Sequence, residues 1–155
     1  MIKHIKCNIF DSGADIILHQ VNCQGVMGSG IAKQVRTRYP EVYEAYKDLC
    51  NRYSEKHKLL GTAQVFCTDS SERKFYIGNL FAQENYGYDG RCYTDYDALR
   101  SALSKIKSYA HSNETIAIPY LMGCHRGGGD WKIVHDMIDN IFVGYNVLIC
   151  EYSGG

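Results

Sequence analysis

The 155-residue chain has no surplus of charge of either sign, because 17 Lys and Arg residues balance 17 Asp and Glu residues. Proteins that attach to nucleic acid or to anionic membranes through bulk electrostatics usually carry an excess of positive charge. We therefore do not expect a membrane or a nucleic acid as the partner of this chain. A local site can still hold a nucleotide, so the charge balance leaves small phosphate ligands open.

Long apolar runs are also missing, and none approaches the roughly 20 residues that a membrane-spanning helix needs. The opening stretch MIKHIKCNIF is interrupted by Lys and His and is too short for a secretory signal. The length suits one domain with a sizeable buried core. We predict a single cytoplasmic domain over residues 1–155, present as a monomer.

Paired cysteine motifs are absent as well. The seven cysteines are an odd number, no CxxC pair occurs, and they are scattered at positions 7, 23, 50, 67, 92, 124 and 150. This pattern favours free thiols in a reducing compartment, most of them as small buried apolar groups. His4 and Cys7 have a spacing seen in metal sites, but no neighbouring residue completes a ligand set. We predict no metal site and no cofactor.

What the sequence does contain is an alternation of strands and helices. Strands are predicted over Ile2 to Phe10, Ala14 to Val21, Gly61 to Thr68, Lys74 to Phe81, Glu114 to Pro119 and Tyr145 to Tyr152. Helices are predicted to begin at Ile31, Pro40, Thr94 and Asp130, and a turn over Asp69 to Arg73. Such alternation indicates an α/β fold with helices on both faces of a central sheet, which the hairpin makes mixed. Ligands of open sheets of this kind bind beyond the carboxyl ends of the strands.

The stretch from His19 to Ala32, HQVNCQGVMGSGIA, leads from an apolar strand through three glycines into a helix. The glycines let a ligand lie directly against the backbone, and the free amides at the helix start favour phosphate. We predict a phosphate-bearing ligand here; the alternative is an ordinary strand–turn–helix crossover. The loop matches neither the Walker pattern nor the dinucleotide fingerprint. The expected contacts are Asn22, Gly25, Val26, Met27, Gly28, Ser29, Gly30 and Ile31.

A second glycine-rich loop, Tyr120 to Gly129, follows the buried strand that ends at Pro119. Three consecutive glycines cost considerable chain entropy on folding, and a purely structural turn seldom needs three. We predict that this loop wraps the ligand. Asp130 is an expected helix N-cap and, through its other oxygen, a candidate catalytic group. The expected ligand contacts are Met122, Gly123, Cys124, His125, Arg126, Gly127, Gly128 and Gly129.

Polar side chains stand at the ends of two predicted strands. His19 has a side chain that titrates near neutrality and suits acid–base catalysis, although it could equally hydrogen-bond a loop. Asn22 is expected either to bind a ribose hydroxyl or to brace the first loop. The residues around the end of the next strand are expected either to line a sugar or base or to form a surface loop; they are Asn79, Leu80, Phe81, Ala82, Gln83, Tyr86 and Tyr88.

These motifs resemble those of the macrodomain family, whose members bind ADP-ribose. The resemblance covers almost the whole chain and is most specific in Val21 to Ala32, in Tyr39-Pro40, and in Ile118 to Tyr120 leading into Gly123 to Trp131. It is nearest to the branch of ADP-ribose-1''-phosphate phosphatases, terminal ADP-ribose glycohydrolases and antitoxins that remove ADP-ribose from DNA. The resemblance implies a three-layer α/β/α fold with a central mixed sheet of about six strands.

The resemblance also implies where a ligand lies. The two glycine-rich loops would embrace the diphosphate and the distal ribose. Many macrodomains carry an Asp after the first strand that reads the adenine amino group. Asn8 stands near that position, and its carbonyl could accept the same hydrogen bond. Ile9 and Phe10 would wall the adenine pocket.

One departure from the family pattern favours a particular reaction. In this family, glycohydrolase members and members that act on DNA use a Lys at the end of the strand holding Phe75 to Phe81, paired with an Asp in the second glycine loop. Here that strand ends in Phe81-Ala82-Gln83, and a Gln cannot replace the Lys because it is not nucleophilic. The position expected for the Asp, near Gly127, is a glycine. We therefore predict hydrolysis of ADP-ribose 1''-phosphate, with His19 and Asp130 sharing the acid and base roles. The alternatives are an ADP-ribosyl hydrolase acting on protein or nucleic acid, and a non-catalytic reader of ADP-ribose.

Overall fold

The computed structural model describes residues 1–70 and 73–152. Its strands are β1 (Ile2–Lys6), β2 (Ile16–Asn22), β3 (Ala63–Ser70), β4 (Arg73–Gln83), β5 (Thr115–Pro119) and β6 (Asn146–Glu151). Its α-helices are α1 (Gly30–Arg38), α2 (Pro40–Asn51), α3 (Tyr96–Tyr109) and α4 (Trp131–Ile141). Short 3₁₀ turns occupy Ile9–Asp11 and Lys56–Leu59.

The strands form one sheet in the order β1-β6-β5-β2-β4-β3. β3 runs antiparallel to β4, and the other neighbouring strands are parallel. β2 and β5 lie in the middle and are covered on both faces, which is why their sequences are nearly continuous in buried residues. The predicted mixed sheet of about six strands between helices is confirmed.

The alternation of side chains along β2 supplies both cores, because successive residues of a strand point to opposite faces. Ile16 and Leu18 pack in the core that includes residues of α3 and α4. Ile17 and Val21 pack in the core that includes residues of α1 and α2. The sheet is therefore the middle of three layers, and its carboxyl edge lies between the two helix layers.

The buried face of α4 differs from the predicted one at one position. The apolar pattern predicts that Ile133 faces inward, but its side chain is 42% exposed. Val134, Met137 and Ile138 form the buried stripe instead. Residues three and four apart share a helix face, and Ile133 lies one residue off that stripe.

Two element boundaries also differ from the predictions. β1 ends at Lys6 rather than Phe10, because the Asn8 side chain accepts a hydrogen bond from Phe10 N at 3.0 Å and starts a 3₁₀ turn. The helix predicted from Thr94 begins at Tyr96, and Asp95 caps it by accepting from Ala98 N at 3.0 Å. Thr and Asp are both good N-caps, so the sequence pattern did not distinguish the two neighbours.

Other boundaries agree with the sequence. Pro40 occupies the first turn of α2, and Asp130 caps α4, both as predicted. The turn predicted over Asp69 to Arg73 lies partly outside the described residues. Within the described ranges, no helix has both the length and the apolar character needed to cross a bilayer.

Candidate functional site

A cleft of about 570 Å³ runs along the carboxyl edge of the sheet, where the loops after β1, β2, β4, β5 and β6 meet. Both glycine-rich loops border it, so two segments that are about 100 residues apart along the chain face one space. From the first loop the lining residues are Asn22, Val26, Gly28, Ser29, Gly30 and Ile31. From the second they are Tyr120, Leu121, Met122, Gly123, His125, Arg126 and Gly127.

Buried side chains hold the first loop in place. The Asn22 side chain accepts from Gln24 N at 2.9 Å and donates to the Val26 carbonyl oxygen at 2.8 Å. Tyr46, fully buried in α2, donates its hydroxyl to Asn22 at 2.7 Å (main-chain O) and 2.9 Å (Oδ1). Burial raises the pKa of Tyr46, so the hydroxyl remains a neutral donor. Asn22 thus braces the loop, one of the two roles considered for it.

The first turn of α1 follows this loop directly, and no side chain caps its N-terminal amides in the described structure. Ser29 occupies the N-cap position but its hydroxyl makes no capping hydrogen bond. By contrast, Asp95 and Asp130 cap α3 and α4. The first amides of a helix need an acceptor, and together with the helix dipole they favour an anion. Gly28, Gly30 and Ile31 line the cleft at this point.

Main-chain hydrogen bonds hold the second loop. The Gly127 carbonyl oxygen accepts from Tyr93 N at 2.7 Å and from Thr94 N at 3.0 Å. The Gly123 carbonyl oxygen accepts from Gly129 N at 2.9 Å and from the Thr94 hydroxyl at 2.6 Å. The loop is therefore tied closely to the segment before α3.

This close packing explains the three consecutive glycines. A Cβ at Gly127 would lie 2.5 Å from Thr94 Oγ1, and one at Gly129 would lie 2.8 Å from the Gly123 carbonyl oxygen. Gly128 has φ +70°, and a Cβ there would collide with the Arg91 carbonyl oxygen. Of the three, only Gly127 lines the cleft. Packing against Arg91 requires glycine at Gly128, and packing against Gly123 requires it at Gly129. Contact of the whole run with a ligand stays a prediction.

His19 lies in a buried polar chain on the α1/α2 side of the sheet. Its Nε2 is 2.5 Å from Asn79 Oδ1, and Asn79 Nδ2 donates to Gln64 Oε1 at 3.1 Å. This pairing makes Nε2 the donor and leaves Nδ1 as a buried acceptor without a partner in the described structure. Burial lowers the pKa of His19 to about 4, against a smaller raising effect of the Asn79 hydrogen bond. The imidazole is neutral at physiological pH, and the residue borders the cleft.

A half-buried polar side chain, Gln20, lies on the opposite face of β2. Gln20 Nε2 donates to Gln83 Oε1 and to Thr94 Oγ1, both at 2.8 Å. Its Oε1 is buried without a partner among the described residues. A Cβ at Gly123 would approach this oxygen to 2.6 Å, so Gln20 and the second loop are in tight contact. Gln20 also lines the cleft.

The far end of the cleft is formed by the ends of β1 and β6. Asn8 and Ile9 line it, together with Cys150, Glu151 and Tyr152. The Asn8 side-chain oxygen already accepts from Phe10 N, and its carbonyl retains a second lone pair. Phe10, expected as an adenine wall, does not line the cleft and packs against Tyr39 with ring centroids 5.7 Å apart.

Comparison with known proteins gives the family. The family described as Macro domain matches residues 18–138. The chain belongs to the macrodomain family.

Relatives of this macrodomain include two kinds of named enzyme. It is 28% identical over 144 residues to a DNA ADP-ribosyl glycohydrolase of Mycobacterium tuberculosis, covering 92% of this chain and 39% of that protein. It is 39% identical over 82 residues to an ADP-ribose 1''-phosphate phosphatase of Candida glabrata, covering 52% of this chain and 44% of that protein. The chain thus spans less than half the length of either named enzyme.

The fold comparison agrees. The solved macrodomain of Mycobacterium tuberculosis DarG superposes with a TM-score of 0.78 over 97% of this chain and 97% of that one, at 24% identity. At this identity the likeness establishes the fold alone. Relatives of the family act as hydrolases on ADP-ribose derivatives, as their names state.

Several residues expected at the site lie away from the cleft of this macrodomain. Met27, Leu80 and Phe81 are fully buried in the two cores behind it. Gly25 and Cys124 belong to the two loops but do not line the cleft. Asp130 is exposed, its Oδ1 accepts from Lys132 N at 2.9 Å, and it does not border the space that His19 lines.

Other residues that line the cleft were not among the predicted site residues. They are Val21, Ala32, Gln20, Gln34, Pro119, Tyr120, Leu121, Cys150, Glu151 and Tyr152, with Gly87 between the two expected tyrosines. The parallel strand order offered a signal for the last three, because β6 ends at the same edge as β2 and β5. Within the described ranges, no group of three or more His, Cys, Asp or Glu side chains is placed to hold a metal ion.

Proposed function

We propose that this macrodomain binds ADP-ribose in the cleft. The observation that carries the proposal is the convergence of the two glycine-rich loops, with the uncapped start of α1, on one space. A diphosphate at this point would accept hydrogen bonds from main-chain amides at the start of α1 that have no acceptor among the described residues. A volume of about 570 Å³ is in the range of small-molecule sites.

The two ends of the cleft suggest the orientation of the ligand. Asn8 and Ile9 lie at the β1 end, where the family resemblance implies adenine. Gln83, Tyr86 and Tyr88 lie at the β4 end, on the other side of the loops. The distal ribose would then lie near Asn22 and Gln83, with its C1'' position toward the tyrosines.

The reaction that we propose is hydrolysis of ADP-ribose 1''-phosphate to ADP-ribose and phosphate. Water attacks phosphorus, the bond to the ribose oxygen breaks, and that oxygen takes up a proton. β4 ends at Gln83 on the cleft and not at a Lys. The family resemblance implies that the Asp of the DNA-directed members would stand near Gly127, where this chain has glycine. Without those two groups, attack by a lysine on the anomeric carbon is not available. The similarity to the Candida glabrata phosphatase supports the same choice.

The two candidate catalytic residues have unequal support. His19 borders the cleft and is our candidate to accept a proton from the attacking water, a role that requires its buried Nδ1 to become accessible when the ligand binds. Asp130 caps α4 and lies outside the cleft lining. We propose that Asp130 contributes by positioning the Gly127 to Gly129 segment against α4, and not as a catalytic residue.

The test combines calorimetric titration with ADP-ribose and a phosphate-release assay on ADP-ribose 1''-phosphate. We expect one ADP-ribose per chain and turnover that falls at least about 100-fold in His19→Ala but is preserved in Asp130→Asn. His57→Ala, outside the cleft lining, is the matched control for a His substitution. Absence of ADP-ribose binding would refute the whole proposal, and full turnover by His19→Ala would remove His19 from the mechanism.

A second candidate, removal of ADP-ribose from a macromolecule, is favoured by one comparison. The glycohydrolase similarity spans 92% of this chain, against 52% for the phosphatase. Release of ADP-ribose from an ADP-ribosylated oligonucleotide or carboxylate ester, with no phosphate release from ADP-ribose 1''-phosphate, would establish this alternative. Binding of ADP-ribose with turnover of none of these substrates would identify a reader.

A further inference from the structure

The cleft contains a single full positive charge among the described residues that line it, and that charge is Arg126. The one carboxylate of the described lining, Glu151, lies at the opposite end, at the end of β6. A ligand that carries a diphosphate and a further phosphate brings several negative charges into this space. The position of Arg126 therefore bears on which ligand the cleft prefers.

Arg126 projects from the second loop toward the β4 end of the cleft. Its guanidinium carbon lies 4.2 Å from the centroid of the Tyr88 ring, which belongs to the loop after β4. The next residue, Gly127, is fixed by two hydrogen bonds to its carbonyl oxygen. The arginine thus begins at a rigid point of the backbone and lies on an aromatic ring that belongs to another segment.

The stacking leaves the hydrogen-bonding capacity of Arg126 unused. Among the described residues, the guanidinium takes part in no ion pair and donates no hydrogen bond. The guanidinium of Arg91, by contrast, is already paired with the Asp89 carboxylate at 3.0 Å. A guanidinium on an aromatic face keeps five N–H donors in its plane, a geometry that matches phosphate oxygens.

We propose that Arg126 is a specificity-determining residue that recognises a terminal phosphate on C1'' of ADP-ribose. The inference rests on the proposed binding function and on the orientation with adenine at the Asn8 end. With that orientation, the C1'' substituent points toward Tyr88 and the free donors of Arg126. Tyr88 acts as a positioning residue that holds the guanidinium flat across the end of the cleft.

The test compares two ligands on the same variants. Affinity for ADP-ribose and for ADP-ribose 1''-phosphate is measured by calorimetry, or as KM where phosphate is released. Arg126→Gln should weaken binding of ADP-ribose 1''-phosphate by at least about tenfold, as expected for loss of a charge-assisted hydrogen bond, and change binding of ADP-ribose less than about twofold. Arg126→Lys keeps the charge without the planar fork and should recover only part of the loss.

Three further variants separate stacking from charge. Arg91→Gln is the matched control, because Arg91 is also exposed but does not line the cleft, and it should leave the affinity for both ligands unchanged. Tyr88→Leu removes the ring and should weaken binding of only the phosphorylated ligand, whereas Tyr88→Phe keeps the ring and should behave as the parent protein.

The outcomes distinguish this inference from the proposed function. Equal weakening of both ligands by Arg126→Gln, or no weakening of either, would overturn the specificity role while leaving ADP-ribose binding in place. A parent protein that binds neither ligand would overturn both. Raising the ionic strength should reduce the preference of the parent protein for the phosphorylated ligand and have little effect on Arg126→Gln.

Discussion

The two glycine-rich loops border the same cleft but are built in different ways. The first is braced by buried side chains, with Asn22 and Tyr46 hydrogen-bonded to each other and to the loop. The second is held by main-chain hydrogen bonds to residues 93 and 94. In the first loop Gly25 (φ +81°) and Gly30 (φ +58°) have left-handed backbones that favour glycine, so the contrast with the second loop concerns Gly28.

The space around the glycines shows this difference. A Cβ at Gly28 would meet nothing closer than Val26 Cγ1 at 3.7 Å, so the unliganded fold does not require glycine there. At Gly127, Gly128 and Gly129 an added Cβ would meet fixed atoms at once. A glycine that the fold does not need, at the edge of a cleft, indicates a close approach by a ligand. A glycine that the fold does need carries no such information.

Gly128→Ala should have the largest effect on stability. The substitution combines a left-handed backbone with a collision against the Arg91 carbonyl oxygen, and should lower the free energy of unfolding by about 3 kcal/mol. Urea denaturation measures this value. The comparison of the loops would fail if Gly128→Ala were as stable as the parent protein.

His19 should make the free energy of unfolding depend on pH, by an amount similar to the effect of Gly128→Ala. Its folded-state pKa of about 4 lies below its ordinary value of 6.5, so the unfolded chain takes up the proton first as the pH falls. The contribution of the neutral His19 to the free energy of unfolding is fully present above pH 6.5, and ~3 kcal/mol of it is lost between pH 6.5 and pH 4. His19→Gln should lack this part of the slope in denaturation curves measured across the range. Parallel curves for the two proteins would show that the imidazole is not buried in its neutral form.

Tyr46→Phe tests the side-chain bracing of the first loop. It removes a buried donor that serves two Asn22 oxygens and should cost about 1–3 kcal/mol of stability. Because the loop also loses its support, ADP-ribose should bind more weakly. Tyr43→Phe, on the same helix but only partly buried, is the control and should be close to the parent in both measurements.

Asp130→Ala and Asp130→Asn separate a cap from a catalytic group. Alanine removes the acceptor for Lys132 N and should cost about 1 kcal/mol, whereas asparagine caps nearly as well. Thermal melting gives the stability and phosphate release gives the activity. A stable Asp130→Asn protein that has lost turnover would restore Asp130 as a catalytic candidate.

Gly28→Ala should have the smallest effect on stability and a clear effect on binding. We expect a change within about 0.5 kcal/mol in the free energy of unfolding, because the site is open and the backbone is not left-handed. Affinity for ADP-ribose should fall by about tenfold, because the methyl group keeps the diphosphate from the amides. Unchanged affinity would mean that the ligand does not lie against this loop.

Much of the fold could be predicted from the sequence because apolar periodicity and turn residues are local signals. The buried run at Ile16 to Leu18 identified a central strand, and Pro40 identified the start of α2. The same reasoning brought both loops to one edge of the sheet, because loops after parallel strands share that edge. Ile133 was misplaced since adjacent positions at the margin of a helical stripe differ little in sequence.

The site was predicted less completely, because it depends on contacts between distant residues. Nothing near Gly128 in the sequence shows that Arg91 packs against it, so the packing that requires glycine at this position had no local signal. His19 is buried against Asn79 of β4, which in turn donates to Gln64 of β3, so the low pKa of His19 had no local signal. Leu80 and Phe81 belong to the right strand but point into the cores.

The hydrogen-bonded row of His19, Asn79 and Gln64 crosses three adjacent strands, from the middle of the sheet to its edge at β3. Sliding β3 or β4 by one residue would point these polar groups into the opposite core and bury them unsatisfied. The row therefore favours a single register of the β3–β4 hairpin against β2. His19, the member of the row that lines the cleft, thereby also disfavours mispaired strands.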